Sequence, residues 1–210
     1  MAAQPQHHMR ANPNSTAPVP ANNAGGTAPA RALPLRFAVW GHKANDTDWS
    51  EGSYVRLGEV ATIEDFWGAV MVMQDFLDEM MFFMMVEGAV PRWEHESNRD
   101  GGYFSVRVDT KGIKATLENM ACKLVSGTLL RGASMAPTGG ADAADRPSSQ
   151  VVGLSTSSKG KFGIIKAWMR TCEVTNGSAL AIDGAAKNTV RFTPHVGKSC
   201  GGAGGEVVGR

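Results

Sequence analysis

The hydrophobic residues of this chain follow two periods, one typical of strands and one typical of helices. Apolar and polar side chains alternate in several short segments, and the run at residues 80–86 is apolar throughout. Alternation places every second side chain on the same face of a strand, whereas a short unbroken apolar run is typical of a buried strand. The predicted strands are residues 35–40, 54–60, 80–86, 103–108, 151–154, 162–169 and 190–192, with a turn at residues 155–161.

Two further segments predict amphipathic helices. Thr62 and Asp65 are spaced as in a capping box, in which each side chain accepts a hydrogen bond from the backbone N–H of the other residue. A first helix is therefore predicted to begin directly after Thr62. A second is predicted over residues 111–129, because its apolar residues form one stripe, typical of a helix that lies on a sheet. That stripe consists of Ile113, Leu117, Met120, Ala121, Leu124 and Val125.

Composition divides the chain into one domain and two tails. Residues 1–31 are rich in Ala, Pro, Asn and Gln and have few large apolar side chains, so they are predicted to be a disordered arm. Residues 32–196 are predicted to form a single domain. Within it, residues 131–150 are rich in Gly, Ala, Asp, Ser and Pro and predict a mobile loop. The Gly-rich residues 197–210 predict a disordered tail.

Charge and cysteine content restrict the function classes. A formal net charge of +1 does not attract nucleic acid to the whole surface, so any RNA contact is expected to be local. The three cysteines lack metal-ligand spacing, and no apolar run is long enough to span a bilayer. We therefore expect that the protein binds no metal and no membrane. We also expect it in a reduced compartment, namely the cytoplasm, with the nucleus as a further location.

The segment 91–102 carries an unusual combination of side chains. Trp93 is followed at once by Glu94, after a proline and before a polar turn that ends in two glycines. In one interpretation a strand ends here, with the indole in the core and the carboxylate in solvent. In the other, the indole stacks on a base while the carboxylate accepts hydrogen bonds from the N–H groups of a guanine.

Two other tryptophans lie in polar surroundings. Trp49 is on a loop without apolar periodicity, which favours a ligand-facing role. Trp168 lies among the densest basic cluster of the predicted domain, which consists of Lys159, Lys161, Lys166 and Arg170. Such lysines are typical of a solvated edge strand, and they are also what a phosphate-bearing aromatic ligand requires. Both interpretations of the basic cluster stay open at this point.

Together these segments resemble the translation initiation factor 4E family, which binds the 7-methylguanosine cap at the 5′ end of messenger RNA. The matching motifs are LPLRFAVW, the Trp49 loop, TIEDFW, PRWEHESNRDGG, LENMAC and KAWMRTCE, which keep the family's order over roughly residues 33–173. The resemblance implies an α+β fold, with a curved antiparallel sheet, helices on its convex face and the cap in its concave face. The chain is identified as a divergent paralogue of that family.

The resemblance also implies roles for the cap-face residues. Trp49 and Trp93 are the two plates that sandwich the methylated base, which is a cation and so adds cation–π attraction to stacking. Glu94 accepts from N1–H and the exocyclic amine, and the backbone N–H of Trp93 meets O6. Trp168 touches the N7 methyl group. Lys159, Lys161 and Lys166 are the implied phosphate contacts.

Two features depart from the family pattern on the phosphate side. Ile164 and Tyr103 stand where the family has basic residues. This predicts weaker binding of a simple cap analogue, or a need for nucleotides beyond the first.

On the convex face, the resemblance implies a site for a helix that bears a Tyr and a Leu. Its owner is a scaffold initiation factor of the 4G type or a 4E-binding protein. Simple burial of Trp67 in the core is the alternative for that residue. The implied contacts are Pro34, Ile63, Trp67, Leu117 and Glu118.

Three functions follow for comparison. The first is a monomeric, cofactor-free cap-binding protein that connects mRNA to a scaffold factor for translation initiation. The second is a protein interaction module or translational repressor with a weakened cap pocket. An enzyme acting on caps is not expected, since there are no carboxylates at metal-binding spacing and no Gly-rich phosphate loop. The basic strand separates the first two, because a cap binder needs at least two of its lysines directed at phosphate.

Overall fold

The structure, a computed structural model, describes residues 30–132, 150–183 and 190–195. Nearly all of the predicted arm at 1–31, most of the predicted loop at 131–150 and the predicted tail at 197–210 lie outside these ranges. The described chain forms strands β1 (Ala32–Lys43), β2 (Val55–Thr62), β3 (Met80–Val86), β4 (Gly102–Asp109), β5 (Val151–Ser158), β6 (Phe162–Met169) and β7 (Val190–Pro194), and helices α1 (Ile63–Asp75) and α2 (Ile113–Val125).

The strands form one curved, antiparallel sheet in the order β2-β1-β3-β5-β6-β4-β7. In β4, the side chains of Phe104 and Val106 belong to the large core beneath the helices. Since side chains alternate along a strand, Tyr103 and Ser105 point to the opposite face. We call the helix-covered face convex and the other concave. The predicted α+β architecture is confirmed.

Both helices are positioned by the features that predicted them. At the start of α1, the Asp65 N–H donates to Thr62 Oγ1 at 3.1 Å, and the Thr62 N–H donates to Asp65 Oδ2 at 3.0 Å. This is the predicted capping box. In α2, every residue of the predicted stripe is buried. The helix is shorter than predicted, because Gly127 adopts a φ of 69° and the Thr128 N–H donates to the Lys123 carbonyl, which closes the helix end.

The predicted turn at residues 155–161 is confirmed only at residues 159–161, and residues 155–158 belong to a strand instead. Strand β5 continues to Ser158, with Ser155 paired to Lys166 and Ser157 paired to Ile164 on β6. The polar Ser and Thr residues indicated a turn, but residues 151–157 are buried. Their backbone groups bond to β6, and the Ser155 hydroxyl accepts a hydrogen bond from the Trp168 indole. Tertiary pairing therefore overrides the local polarity.

A second, smaller core lies on the concave face. It contains Phe83, Met85, Ala89, Val152 and Trp168, with Trp40, Tyr54 and Met81 packed against it. This core supports the loops that follow β1 and β3. Of the cysteines in the described ranges, Cys122 is a half-buried free thiol and Cys172 is disulfide-bonded, which the cysteine spacing did not predict.

Candidate functional site

Trp49 lies on the concave side, on the loop between β1 and β2, with one face of its indole covered. The His42 ring lies parallel to it, with centroids 4.2 Å apart and an interplanar angle of 2°. His42 is fully buried, with Nδ1 2.9 Å from the Lys43 carbonyl oxygen and Nε2 2.8 Å from that of Asp48. Trp49 itself is 52% exposed. A flat ligand can therefore stack on the indole face that points away from His42.

Trp93 lies on the loop between β3 and β4, and its side chain is 43% exposed. The fully buried Asn98 holds this loop, since its side-chain amide donates to the carbonyl oxygens of Val90 and Arg92 at 2.7 Å each. The backbone N–H of Trp93 has no hydrogen-bond acceptor within the described ranges. The interpretation of Trp93 as a core residue at a strand end therefore does not hold.

An ion pair joins the two tryptophan loops. Arg92, which precedes Trp93, bonds to the Glu51 carboxylate at 3.0 Å, and its Nε lies 3.8 Å from Glu94. Burial, followed by the Glu94 charge, raises the pKa of the Tyr54 phenol, while the Arg92 charge acts in the opposite direction. Arg92 and Glu51 were not predicted from the sequence. The available signal was that opposite charges flank the two tryptophans, Glu51 after one and Arg92 before the other.

Glu94 projects from the Trp93 loop with its side chain 45% exposed. Its carboxylate oxygens are too far from Arg92 Nε for a hydrogen bond, so they stay available to accept from a ligand. The site thus contains two half-exposed indoles on loops that an ion pair joins. It also contains a backbone N–H without an acceptor among the described residues, at Trp93, and a carboxylate with two acceptor oxygens, at Glu94. A flat base with adjacent N–H donors and one carbonyl matches this pattern chemically.

Trp168, on β6, is only 7% exposed and forms part of the floor of the site. Its indole N–H donates to Ser155 Oγ at 3.0 Å, and its ring meets Phe83 edge-on at 6.2 Å between centroids. The centroid of the His195 ring lies 5.2 Å from that of Trp168, and the two rings are tilted by 42°. Trp168 therefore presents only a small part of its ring, in contrast to the two loop tryptophans.

His195 connects the floor to the charged groups. It is buried, and its Nε2 has no hydrogen-bond partner in the described part of the chain. Its pKa is lowered from 6.5 to about 4, first by burial and then by the Lys166 ammonium, while the Glu94 carboxylate acts in the opposite direction. The imidazole is therefore neutral at neutral pH, and Glu94 and Lys166 lie within electrostatic range of it.

The predicted basic cluster is only partly brought together. Lys166 is half-buried on the concave face, with its Nζ 4.1 Å from the centroid of the Tyr103 ring. Burial lowers its pKa, and so does the charge of Lys159. Lys159 and Lys161 are exposed at the turn between β5 and β6. Ile164 shares the face of Lys166, so the position four residues before Trp168 is apolar.

The convex face carries the predicted partner residues in unequal exposure. Trp67 is 42% exposed and packs edge-on against Phe66, so it is not a core residue. Pro34 and Glu118 are exposed, and Ile63 is half-buried. Leu117, in contrast, is fully buried.

Because the Leu117 side chain packs inward from α2, it does not reach the exposed convex surface. Leu117 is therefore a core residue and not the exposed partner contact that was predicted.

The described ranges also bear on metal binding and on membrane-spanning helices. No three His, Cys, Asp or Glu side chains there are grouped so that they could hold a metal ion. Of the helices that the structure describes, none has the length and apolar character needed to cross a bilayer.

Comparisons with known proteins agree on the fold. A family model for eukaryotic initiation factor 4E matches residues 32–197. No curated protein sequence matches the chain. Among solved structures, Ascaris suum eIF4E-3 with m7G cap is 18% identical, with 68% of this chain and 74% of that chain covered and a TM-score of 0.53.

Two further solved structures are similar at the same level. A complex of C. elegans eIF4E-3 with the 4E-binding protein Mextli and a cap analog is 21% identical, with 68% and 75% of the two chains covered and a TM-score of 0.55. Schistosome eIF4E complexed with m7GpppA and 4E-BP is 14% identical, with 70% and 75% covered and a TM-score of 0.56.

Proposed function

Because the chain belongs to the eukaryotic initiation factor 4E family, whose members are cap-binding factors and not enzymes, we propose that it binds the 7-methylguanosine cap of mRNA. It then connects that mRNA to a scaffold initiation factor for translation initiation. The observation that carries the proposal is the pair of half-exposed indoles, Trp49 and Trp93, on loops that the Arg92–Glu51 ion pair holds together.

In this proposal, each group of the site has one task. Trp49 and Trp93 sandwich the methylated base, whose positive charge gives each indole cation–π attraction in addition to stacking, about 1–3 kcal/mol per base. Glu94 accepts from N1–H and the exocyclic amine, and the free Trp93 N–H donates to O6. Trp168 meets the N7 methyl group with the exposed part of its ring. Unmethylated guanine lacks the charge and binds more weakly.

The phosphates lie on the side of Lys166. A half-buried ammonium whose pKa is lowered by burial and by Lys159 gains stability when an anion approaches. Lys159 and Lys161, at the adjacent turn, provide further positive charge. Because Ile164 and Tyr103 are uncharged, we expect fewer direct phosphate contacts than the family pattern implies.

The first test is tryptophan fluorescence during titration with 7-methylguanosine triphosphate and, in parallel, GTP. We expect quenching by the methylated nucleotide at concentrations where GTP has no effect. Trp93→Ala should weaken binding roughly 30-fold, because it removes one stacking face. Trp67→Ala, on the opposite face of the sheet, is the matched control and should bind the nucleotide as the wild type does. Equal binding of both nucleotides by wild-type protein contradicts the cap sandwich.

One observation favours the second function, an interaction module or repressor with a weakened cap pocket. Ile164 and Tyr103 leave the phosphate side with fewer charges than the family pattern implies. A protein that fails to bind the methylated nucleotide but binds a helical partner peptide has this second function.

The partner surface is the exposed side of α1. Trp67, Met71 and Gln74 follow one another at helical spacing, and Met71 is 61% exposed. The Gln74 side chain donates to the Glu118 carboxylate on α2 at 3.3 Å, so this exposed row of α1 residues contacts α2. An exposed Trp beside an exposed Met fits the apolar side of an amphipathic helix. We propose that a scaffold factor of the 4G type, or a 4E-binding protein, docks here.

Trp67→Ala is expected to weaken binding of a synthetic amphipathic peptide bearing a Tyr and a Leu by roughly 30-fold, as expected for a buried aromatic anchor. Isothermal calorimetry measures this affinity. Trp93→Ala, which leaves α1 intact, is the control and should bind the peptide normally. Unchanged peptide binding by Trp67→Ala means that the partner docks elsewhere.

A further inference from the structure

Three cations share the concave face of β6, β4 and β7. Lys166 on β6 pairs with Ser105 on β4, and Ser105 pairs on its other side with Arg191 on β7. Paired residues in neighbouring strands point to the same face, so the side chains of Lys166 and Arg191 emerge on one side of the sheet. Arg107 lies two residues beyond Ser105 and points the same way. We call Lys166, Arg107 and Arg191 the basic track.

These cations have no carboxylate partner. Among the described residues, no Asp or Glu oxygen lies within 4.0 Å of their side-chain nitrogens. Arg107 and Arg191 are exposed. Aromatic rings hold two of the three in place, since Arg107 Cζ lies 3.8 Å from the centroid of Phe162 and Lys166 lies over Tyr103. Oriented cations without an internal anion are available to an external one.

The basic track continues directly from the cap site. Trp168 pairs with Tyr103, whose ring lies beneath the Lys166 ammonium. Lys166 and Arg191 flank Ser105 and are therefore two strand spacings apart, about 10 Å. Arg107 lies two residues beyond Ser105 on β4, about 7 Å along the strand. Lys166 and Arg191 therefore lie in one row across the sheet, and Arg107 lies in the next row, farther from Trp168 along β4. This spacing suits a few nucleotides of extended chain.

We propose that Arg107 and Arg191, the part of the basic track beyond the cap phosphates at Lys166, bind the backbone phosphates of the nucleotides that follow the cap in single-stranded mRNA. This inference rests on the proposed cap-binding function, because the cap fixes where the RNA chain begins. Arg107 and Arg191 contact phosphate and read no base, so they increase affinity without adding sequence preference. The carboxylate of Asp109, at the far end of the same face of β4, limits how far the track extends.

An RNA strand fits this surface better than an acidic peptide does. The track starts at the floor of the proposed base pocket, so a ligand anchored there delivers its phosphates to Lys166 first. Aromatic rings alternate with the cations, as on surfaces that bind single strands. With a net charge of only +1, the protein does not attract RNA over its whole surface, so a local track is required.

The test compares the double variant Arg107→Gln/Arg191→Gln with the control double variant Lys114→Gln/Arg131→Gln, whose cations lie outside the track. Each is titrated with 7-methylguanosine triphosphate, with a capped RNA of about ten nucleotides, and with an oligo-glutamate peptide. We expect wild-type protein to bind capped RNA more tightly than the nucleotide. The track variant should lose about tenfold in affinity for capped RNA at low salt and bind the nucleotide normally.

Salt dependence gives a second readout. The slope of log affinity for capped RNA against log salt should fall by about 1.4 in the track variant, since each single-strand phosphate contact contributes about 0.7. Normal nucleotide binding without any gain from capped RNA overturns the track alone. Failure of wild-type protein to bind either nucleotide or capped RNA overturns the proposed function as well. If the track variant loses only the oligo-glutamate peptide, the surface binds an acidic protein segment and the RNA proposal is wrong.

Discussion

The Glu94→Gln variant is expected to lose at least about 100-fold in affinity for 7-methylguanosine triphosphate. Hydrogen bonds to a charged group contribute about 1.5–3 kcal/mol each, and a guanine edge offers two N–H donors to this carboxylate. Glutamine keeps the shape but accepts with only one atom, and its NH₂ group faces a donor. It also loses the attraction between the carboxylate and the cationic base. Fluorescence titration measures the loss.

The structure predicts that the effect is local to ligand binding. The Glu94 carboxylate lies 3.8 Å from Arg92 Nε, whereas the Glu51 carboxylate lies 3.0 Å from Arg92 Nη1. The Arg92–Glu51 ion pair between the two tryptophan loops should therefore stay intact in the variant. Its melting temperature should therefore equal that of the wild type. Glu96→Gln, two residues along the same exposed loop, is the matched control and should bind normally. A similar loss in both variants would show that general loop charge, and not a paired hydrogen bond, holds the base.

The Gly101→Ala variant is expected to lose roughly 3 kcal/mol of folding free energy. A methyl group at Gly101 would overlap the Met169 carbonyl oxygen and lie 2.7 Å from the carbonyl carbon of Arg170. The backbone has little room to move, because Gly102 pairs with both Met169 and Pro194. Thermal unfolding followed by circular dichroism should show a decrease in Tm of roughly 10 °C.

A matched glycine provides the control for this prediction. A methyl group at Gly68, in α1, would meet no atom within 4 Å beyond the backbone of its own helix, so Gly68→Ala introduces no clash. Alanine restricts the unfolded chain and favours a helix, which should stabilise the protein by about 0.5–1 kcal/mol. Opposite signs for the two substitutions support close packing at Gly101. Equal Tm values for Gly101→Ala and wild type would mean that β4 and β6 separate without penalty.

Elements governed by local sequence were predicted well. The capping box at Thr62, the buried stripe of α2 and the strands at 80–86 and 162–169 depend on side chains that are close together along the chain. The exposed position of Trp49 also follows from its polar neighbours. The turn predicted at 155–161 was too long, because residues 155–158 pair with β6, whose contribution the local pattern does not contain.

The candidate site depended more strongly on tertiary structure. Nothing in the sequence places the His42 ring against Trp49, joins Glu51 to Arg92 across 41 positions, or turns Leu117 away from the surface. Arg107 and Arg191 were likewise not singled out, since only strand pairing brings them to the face of Lys166.

Periodicity and motifs are local properties, so the order of amino acids was enough to predict the α+β elements, the family resemblance and the exposed aromatic and acidic residues. Folding was needed to establish which charges face one another and which side chains are buried. Those properties depend on strand order and register, which bring together residues that are far apart in the chain.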